Sequence, residues 1–373
     1  NFGAIYGRTK AMAYRNATLP EGHTWKSYTQ FLLDTLPARL RNNYVKKFRT
    51  SIEFWHNTGG GLSEETIREL NFSSQITDSA DSATTNAPES RGTGGTLVTN
   101  GGLKNEGNAF VVYSTYSLGG LSSQTFDNQP QTVTYTSGAW TYSEKKIWVN
   151  SAKYKFRAYY PAVAEILSSS SNPDLLTLEY NIARDNFDLM VAYAERQPSV
   201  DPEGYGVVTM PFKHALSALR FEIKYDPLSI APGTTDKITK AYLQNLCVVG
   251  LLTFNGSPSN YQMNWSKSYS DAEQRYLWEG SKIFGVGDAN KISVYDNDNI
   301  VFAIPQEITA KSTAFHFFTE SGLDNHHIAY IPAITWEPGK VYTYTITLSG
   351  SSISVAVSIK EWQNISSNVD IQV

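Results

Sequence analysis

Six histidines, one cysteine and one acidic cluster are the side chains of this sequence best suited to bind a metal or move a proton. The histidines stand at positions 23, 56, 214, 316, 326 and 327, with no HxxxH or HxH pair supported by nearby carboxylates. In an extended chain the adjacent His326 and His327 point to opposite faces and cannot share one ion, so a surface-loop position is expected. His214, in "MPFKHALSALRF", stands among apolar residues at the mouth of a strand, where a hydrogen-bonded structural histidine is expected. Cys247 lies in the apolar run "NLCVVGLLTF" and reads as a buried small hydrophobe that has no partner for an internal disulfide. The stretch "DANKISVYDNDN" gathers Asp288, Asp296, Asp298 and Asn299, but it lacks the ordered spacing and bidentate glutamate of a calcium loop and reads as a solvated turn. No nucleophile elbow, Walker loop or dinucleotide fingerprint occurs. No catalytic, metal or cofactor site is therefore assigned, and a non-enzymatic protein is expected. One binding chemistry stays open: "WSKSYSDAEQRYLWEG" carries Trp265, Tyr269, Tyr276 and Trp278 in a loop-like stretch, where Trp265 and Trp278 could stack on a sugar, against core packing as the simpler reading.

The elements that must carry these residues are mostly strands. A chain of 373 residues, 41% hydrophobic and 18% charged, has the composition of a globular protein and the length for two cores. Its 23 Tyr, 17 Phe and 8 Trp, with many Thr, Val and Ile, favour β structure. "LRFEIKY" sets Leu219, Phe221, Ile223 and Tyr225 against Arg220, Glu222 and Lys224, which gives a strand one buried face and one wet face. "VYTYTITL" and "ISVAVSI" repeat the pattern through Tyr342, Tyr344, Ile346 and Leu348, and through Ile353, Val355, Val357 and Ile359. Further strands are expected in "AFVVYSTY", "QTVTYT", "KIWV", "KYKFRAYY", "DLMVAYAE", "GVVTMPF", "NIVFAIP" and "FHFFTE". The Pro/Gly-rich "RQPSVDPEGYG", 196–206, is the best boundary, giving a first β domain over 63–200 and a second over 201–373.

Residues 1–62 form a third region of different character. Trp25, Tyr28, Phe31, Leu32 and Leu36 recur at helical spacing after Thr24 as N-cap, Pro37 ends that helix or starts another, and "LSEETIREL" reads as one more short helix. Arg8, Lys10, Arg15, Lys26, Arg39, Arg41, Lys46, Lys47 and Arg49 oppose only Glu21 and Asp34 in the first fifty residues, although the whole chain carries a net charge of −4. A solvated helix face accounts for this basic arm, and no nucleic-acid partner is expected. No run reaches the ~20 apolar residues of a membrane-spanning helix, and the opening "NFGAIYGRTK" does not read as a signal peptide.

Two short segments share one pattern. In "LNFSSQI", Leu70, Phe72 and Ile76 fall on one face with Ser74 between them, and a polar run over 77–95 follows that contains a single basic residue, Arg91. In the tail "NISSNVDIQV", Ile365, Val369, Ile371 and Val373 likewise share one face, with Ser367 among them. Two equivalent strands at opposite ends of a chain could occupy the same kind of groove, and withdrawal of one would bare an apolar trough and unpaired amides.

The blocks "YKFRAYYPA" (154–162), "MPFKHALSALRFEIKY" (210–225) and "WEPGKVYTYTITLSGSSISVAVSIKEWQ" (336–363) resemble, in order and spacing, those of the fimbrillin-like, or type V pilin, family of Bacteroidales surface fibres. The resemblance covers residues 70–373 and leaves the first sixty outside it. It implies an all-β fold of two transthyretin-like sandwiches in tandem, behind a partly helical extension. It also implies export through the outer membrane as a lipoprotein precursor and residence in a cell-surface fimbria. On this reading an arginine-specific protease cuts after Arg91, the strand carrying Leu70, Phe72 and Ile76 leaves, and a neighbouring subunit's tail, with Ile365, Val369, Ile371 and Val373, fills the groove. The implied partners are other fimbrial subunits, the maturation protease and a surface glycan or protein receptor, with no cofactor. A glycan-binding β-sandwich that uses Trp265 and Trp278 is the alternative.

Overall fold

The computed structural model describes residues 70–76, 98 and 100–362, apart from short interruptions of which 201–206 is the longest. The helical extension expected over 1–62, the linker with Arg91 and the tail from residue 363 lie outside the described residues. The first half contains β1 (Phe72–Ile76), a one-turn helix α1 (Asn100–Leu103), β2 (Ala109–Leu118), β3 (Leu121–Gln124), β4 (Gln131–Thr136), β5 (Ala139–Thr141), β6 (Lys153–Tyr160), β7 (Leu167–Asn172), β8 (Leu175–Asn181), β9 (Met190–Arg196) and β10 (Val208–His214). It continues with β11 (Ser217–Tyr225), β12 (Thr235–Gln244), β13 (Leu246–Ser257), β14 (Asn260–Asp271), β15 (Arg275–Gly285), β16 (Ile292–Tyr295) and β17 (Val301–Ala303). The last strands are β18 (Glu307–Ile308), β19 (Ala314–Thr319), β20 (His326–Tyr330), β21 (Ile334–Thr335), β22 (Lys340–Leu348) and β23 (Ile353–Glu361). The fold is all-β, as the alternating pattern requires.

The first sheet has the order β1-β10-β9-β6-β2-β4-β5, with β3 paired to β2. Its two faces feed different cores. Phe110, Val112, Phe156, Met190, Ala192, Met210 and Phe212 face one cluster, which is closed by Trp140, Tyr142, Trp148 and Leu103. Their neighbours Val111, Tyr159, Val191 and Tyr193 face the other, together with Leu176, Leu178 and Tyr180 of β8. Period-two alternation thus sends apolar side chains of the central strands β2, β6 and β9 into both cores.

The second core lies between the sheets β16-β11-β22-β23 and β15-β12-β19-β20. β11 runs parallel to β22, pairing Leu219 with Tyr342, Phe221 with Tyr344 and Ile223 with Ile346. Phe221 stacks on Phe315 of the opposite sheet at 4.4 Å between ring centroids, so the alternation of "LRFEIKY" translates directly into inter-sheet packing. Strand pairing crosses residue 200 repeatedly, joining strands from the two halves. β10 lies beyond the Pro/Gly-rich stretch but pairs with β9, and β13 of the second half pairs with β8 of the first through Leu252 with Leu178 and Phe254 with Leu176. "KIWV" forms no strand at its described residues; Trp148 instead packs edge-on against Tyr154 at 4.8 Å, as a plug over the first core.

Candidate functional site

Among the described residues β1 is an edge strand, paired on one side only. It runs parallel to β10, with Phe72 opposite Val208, Ser74 opposite Met210 and Ile76 opposite Phe212. Val208 donates its N–H to the Asn71 carbonyl at 2.8 Å, and the Ser73 hydroxyl donates to Thr209 Oγ1 at 2.9 Å. Strand alternation then directs the backbone groups of Val208, Met210 and Phe212 at β1, while the missing N–H of Pro211 falls on the other edge of β10. Ahead of β1, Leu70 donates its N–H to the Lys146 carbonyl, and its own carbonyl accepts the Tyr142 hydroxyl at 2.6 Å. Tyr142 in turn accepts the Lys146 N–H, so a single phenol fastens both the strand and the loop that covers it.

The inward face of this segment is Leu70, Phe72 and Ser74, all buried. Phe72 meets Phe110, Tyr142 and Phe156 edge-on at 6.1, 5.4 and 5.7 Å between centroids. Burial of Leu70 and Phe72 stabilises the strand by about 1.5 to 3 kcal/mol each. Ser74 acts against this, because its hydroxyl is buried without a hydrogen-bond partner among the described residues, an omission that costs about 1 to 3 kcal/mol. The strand is therefore well shaped for its groove and held less tightly than an all-apolar strand would be. Of the residues singled out in sequence, Leu70 and Phe72 are brought together here and Ile76 is paired through its backbone, its side chain lying outside the described residues. Arg91, Ile365, Val369, Ile371 and Val373 lie outside the described residues.

A buried polar junction closes the groove at its far end. His214 Nδ1 lies 2.9 Å from Asp188 Oδ1, with both side chains fully buried. Asp188 Oδ2 accepts the N–H of Val98, the first described residue beyond the linker. Burial, and then the Asp188 carboxylate, push the nearby Tyr160 phenol up to about 12. Over the His214 ring lies Trp362, the last described residue before the tail, at 4.3 Å and 9° from parallel. His214 is thus the hydrogen-bonded structural histidine its apolar setting suggests. The Asp188 partner, 26 residues away in sequence, carries no local signal.

The aromatic stretch expected to be a loop is two strands. Trp265 belongs to β14 and Trp278 to β15, which lie in different sheets. Trp265 donates its indole N–H to the Ala215 carbonyl at 2.8 Å and lies over Gly250, where a Cβ would stand 3.0 Å from its ring. Trp278 lies over Gly280 with the Lys282 ammonium 5.9 Å from its ring centroid. Asp288 pairs with Lys224 at 2.6 Å, while Asp296, Asp298 and Asn299 are outside the described residues. His326 and His327 sit in β20, a strand and not a loop, stacked on Phe318 and Phe317 of the neighbouring β19. They do take opposite faces. His316 Nδ1 lies 3.0 Å from His326 Nε2, and burial, then the neighbouring His326, holds His316 below the usual histidine range. The Cys247 thiol is buried and pushed up by burial. Among the described residues no three His, Cys, Asp or Glu side chains are placed to hold a metal, and no helix is long and apolar enough to cross a membrane.

Comparison with known proteins bears on the fold that carries this groove. Residues 1–90 match a sequence model described only as a domain of unknown function, DUF3440. No curated protein matches the chain. Among solved structures, a fimbrial protein from Bacteroides vulgatus is 17% identical, with a TM-score of 0.50 over 68% of this chain and 93% of that one. A candidate cell adhesion protein from Bacteroides uniformis is 18% identical, with a TM-score of 0.47 over 80% of this chain and 99% of that one. The tip fimbrial protein Mfa3 from Porphyromonas gingivalis, with a C-terminal truncation, is 12% identical, with a TM-score of 0.34 over 70% and 96%. The first of these likenesses speaks for the fold alone. The decisive match is to the sequence model described as fimbrillin-like, which spans residues 96–362, and the chain belongs to the fimbrillin-like family.

Proposed function

We propose that this chain is a structural and adhesive subunit of a cell-surface fimbria, joined to its neighbours by strand exchange. In this reading a protease cuts after Arg91, β1 leaves, and the groove beside β10 receives the tail of another subunit. The observation that carries it is β1 itself: a short strand with a fitted apolar face and, among the described residues, one unsatisfied hydroxyl and strand pairing on a single side. Its loss would uncover Phe110, Tyr142 and Phe156 and free the groove-facing amides of Val208, Met210 and Phe212, a surface that pairs with any strand of matching pattern. The tail, with Ile365, Val369, Ile371 and Val373 on one face, has that pattern.

Membership of the fimbrillin-like family supports the setting. The precursor would reach the cell surface through the outer membrane as a lipoprotein, and its partners would be other fimbrial subunits, the arginine-specific protease and a surface glycan or protein receptor. A joint between a groove at one place and a tail from another is head-to-tail and does not close on itself, so it yields a fibre. The test is digestion of the purified chain with an arginine-specific protease, followed by negative-stain microscopy. Fibres are expected from the cleaved chain and none from a cleaved variant truncated after Trp362. Fibres that form equally well without the tail would refute strand exchange.

A further inference from the structure

β23 is the last strand of the sheet β16-β11-β22-β23, and among the described residues no strand pairs with its outer edge. It pairs with β22 without a register shift, from Lys340 with Glu361 to Leu348 with Ile353. Contacts at both ends of that ladder fix which backbone groups it uses. The Ser349 N–H donates to the Ser352 carbonyl at 2.9 Å, and the Trp362 N–H to the Gly339 carbonyl at 2.8 Å. Hydrogen-bonded pairs alternate with non-bonded ones in an antiparallel ladder, so Ser354, Ala356, Ser358 and Lys360 direct their N–H and C=O at β22. Ile353, Val355, Val357 and Ile359 therefore direct theirs outward, away from β22.

An open edge of this kind is normally guarded by short length, bulges, proline or charge. β16, at the opposite end of the same sheet, has four residues, and β15, an edge of the facing sheet, has two register shifts and carries Glu279 and Lys282. β23 has none of these guards between residues 353 and 359. Its Ile353, Val355, Val357 and Ile359 side chains lean on the second core and stay half-buried, while Ser354 and Ala356 are exposed on the outer face. The strand is also symmetric in sequence: "ISVAVSI", 353–359, reads the same in both directions. Laid antiparallel on a second copy about a two-fold axis at Ala356, it sets Ile353 against Ile359, Ser354 against Ser358, Val355 against Val357 and Ala356 against itself. The four residues with outward backbone groups then meet one another, giving roughly eight hydrogen bonds between the copies, and every side chain meets its own kind. Lys360 falls opposite Ser352, so it meets no like charge.

We propose that β23 is a self-recognition edge: two copies of this chain pair through residues 353–359, antiparallel about Ala356, and join their β16-β11-β22-β23 sheets into one continuous sheet. The interface is isologous and closes at two copies. It uses no residue of β1 or β10 and forms in the uncleaved chain, so it stands or falls apart from strand exchange. In fibres built by strand exchange it would link subunits of neighbouring fibres side by side.

Disulfide trapping on the full, uncleaved chain tests the pairing. Ala356 is exposed, and its two copies meet at a non-hydrogen-bonded position with Cα atoms about 4.5 Å apart, within the span of a disulfide. Ser354 faces Ser358 of the other copy, which leaves the two Ser354 positions about 14 Å apart, beyond that span. The natural Cys247 is buried. On mild oxidation, read by non-reducing gel, Ala356→Cys should form a covalent dimer at least tenfold faster than Ser354→Cys alone, and mixing Ser354→Cys with Ser358→Cys should give the linked pair. In sedimentation equilibrium at up to about 100 μM the parent chain should approach twice its 41.5 kDa, and Ala356→Lys, which sets two ammonium groups face to face, should weaken the association at least tenfold. Linking of Ser354→Cys alone as fast as Ala356→Cys, a parent chain that stays at 41.5 kDa, or an Ala356→Lys chain that associates as the parent does, overturns the proposal.

Discussion

Replacing Phe72 by alanine tests what holds β1 in place. The ring is buried and makes three edge-on aromatic contacts at 5.4 to 6.1 Å, with Phe110, Tyr142 and Phe156 around it. Truncating a buried phenylalanine costs about 3 to 5 kcal/mol when the cavity cannot collapse. Here the cavity would open at the sheet edge, and the simplest relaxation is for the strand to leave. The equilibrium for undocking should therefore move by roughly two to three and a half powers of ten, at 1.4 kcal/mol per power. The reporter is the Val208 amide, whose hydrogen bond goes to Asn71, so its exchange with solvent requires β1 to leave. In the intact chain, Phe72→Ala should speed exchange at Val208 by at least a hundredfold and leave the amides of β11 and β22, which serve the other core, unchanged. Acceleration of less than tenfold at Val208 would mean that Phe72 does not hold the strand, and equal acceleration in β11 and β22 would mean that β1 is not a local unit.

Ser74→Ala removes the buried unsatisfied hydroxyl and should hold β1 tighter by about 1 kcal/mol, read as slower exchange at the same Val208 amide; faster exchange would contradict the reading of Ser74 as a weak point. Asp188→Ala leaves His214 Nδ1 and the Val98 N–H without their acceptor and should lower unfolding stability by about 2 to 5 kcal/mol in urea, whereas a loss under about 1 kcal/mol would make the junction dispensable. His316 is held below the usual histidine range, so its contribution to stability is complete above the unfolded value near 6.5 and is lost as pH falls toward the lower folded value. The melting temperature should therefore fall between about pH 7 and pH 5 with a slope that His316→Gln reduces, and an unchanged slope in that variant would assign the effect elsewhere.

The period-two patterns carried most of the fold because a strand with one buried face writes that face into its sequence. Leu219, Phe221 and Ile223, and Tyr342, Tyr344 and Ile346, are buried as their alternation predicts. The same logic places Leu70, Phe72 and Ser74 on one face, and all three are buried. Partner choice and polarity were not legible. That β1 is parallel to β10, and β11 to β22, follows from how distant segments meet and not from either segment alone. β14 is not legible in the sequence because most of its described side chains are exposed or half-buried and polar, so it shows little alternation and takes its register from β13. The two halves are joined by β13 on β8, a pairing between residues more than sixty positions apart that no local composition marks. At the groove, the roles of Tyr142 and Asp188 have no local signal for the same reason: each acts on a segment far away in sequence, Leu70 in one case and His214 in the other.

The central claim is that β1 is built to leave. Its most direct test is the mass of the folded body recovered by gel filtration after cleavage at Arg91. The account predicts a body that begins at Gly92 and has lost the peptide carrying Leu70, Phe72 and Ser74. A body that keeps this peptide bound, at one copy per chain and through repeated dilution, would make β1 a permanent part of the sheet and contradict the account.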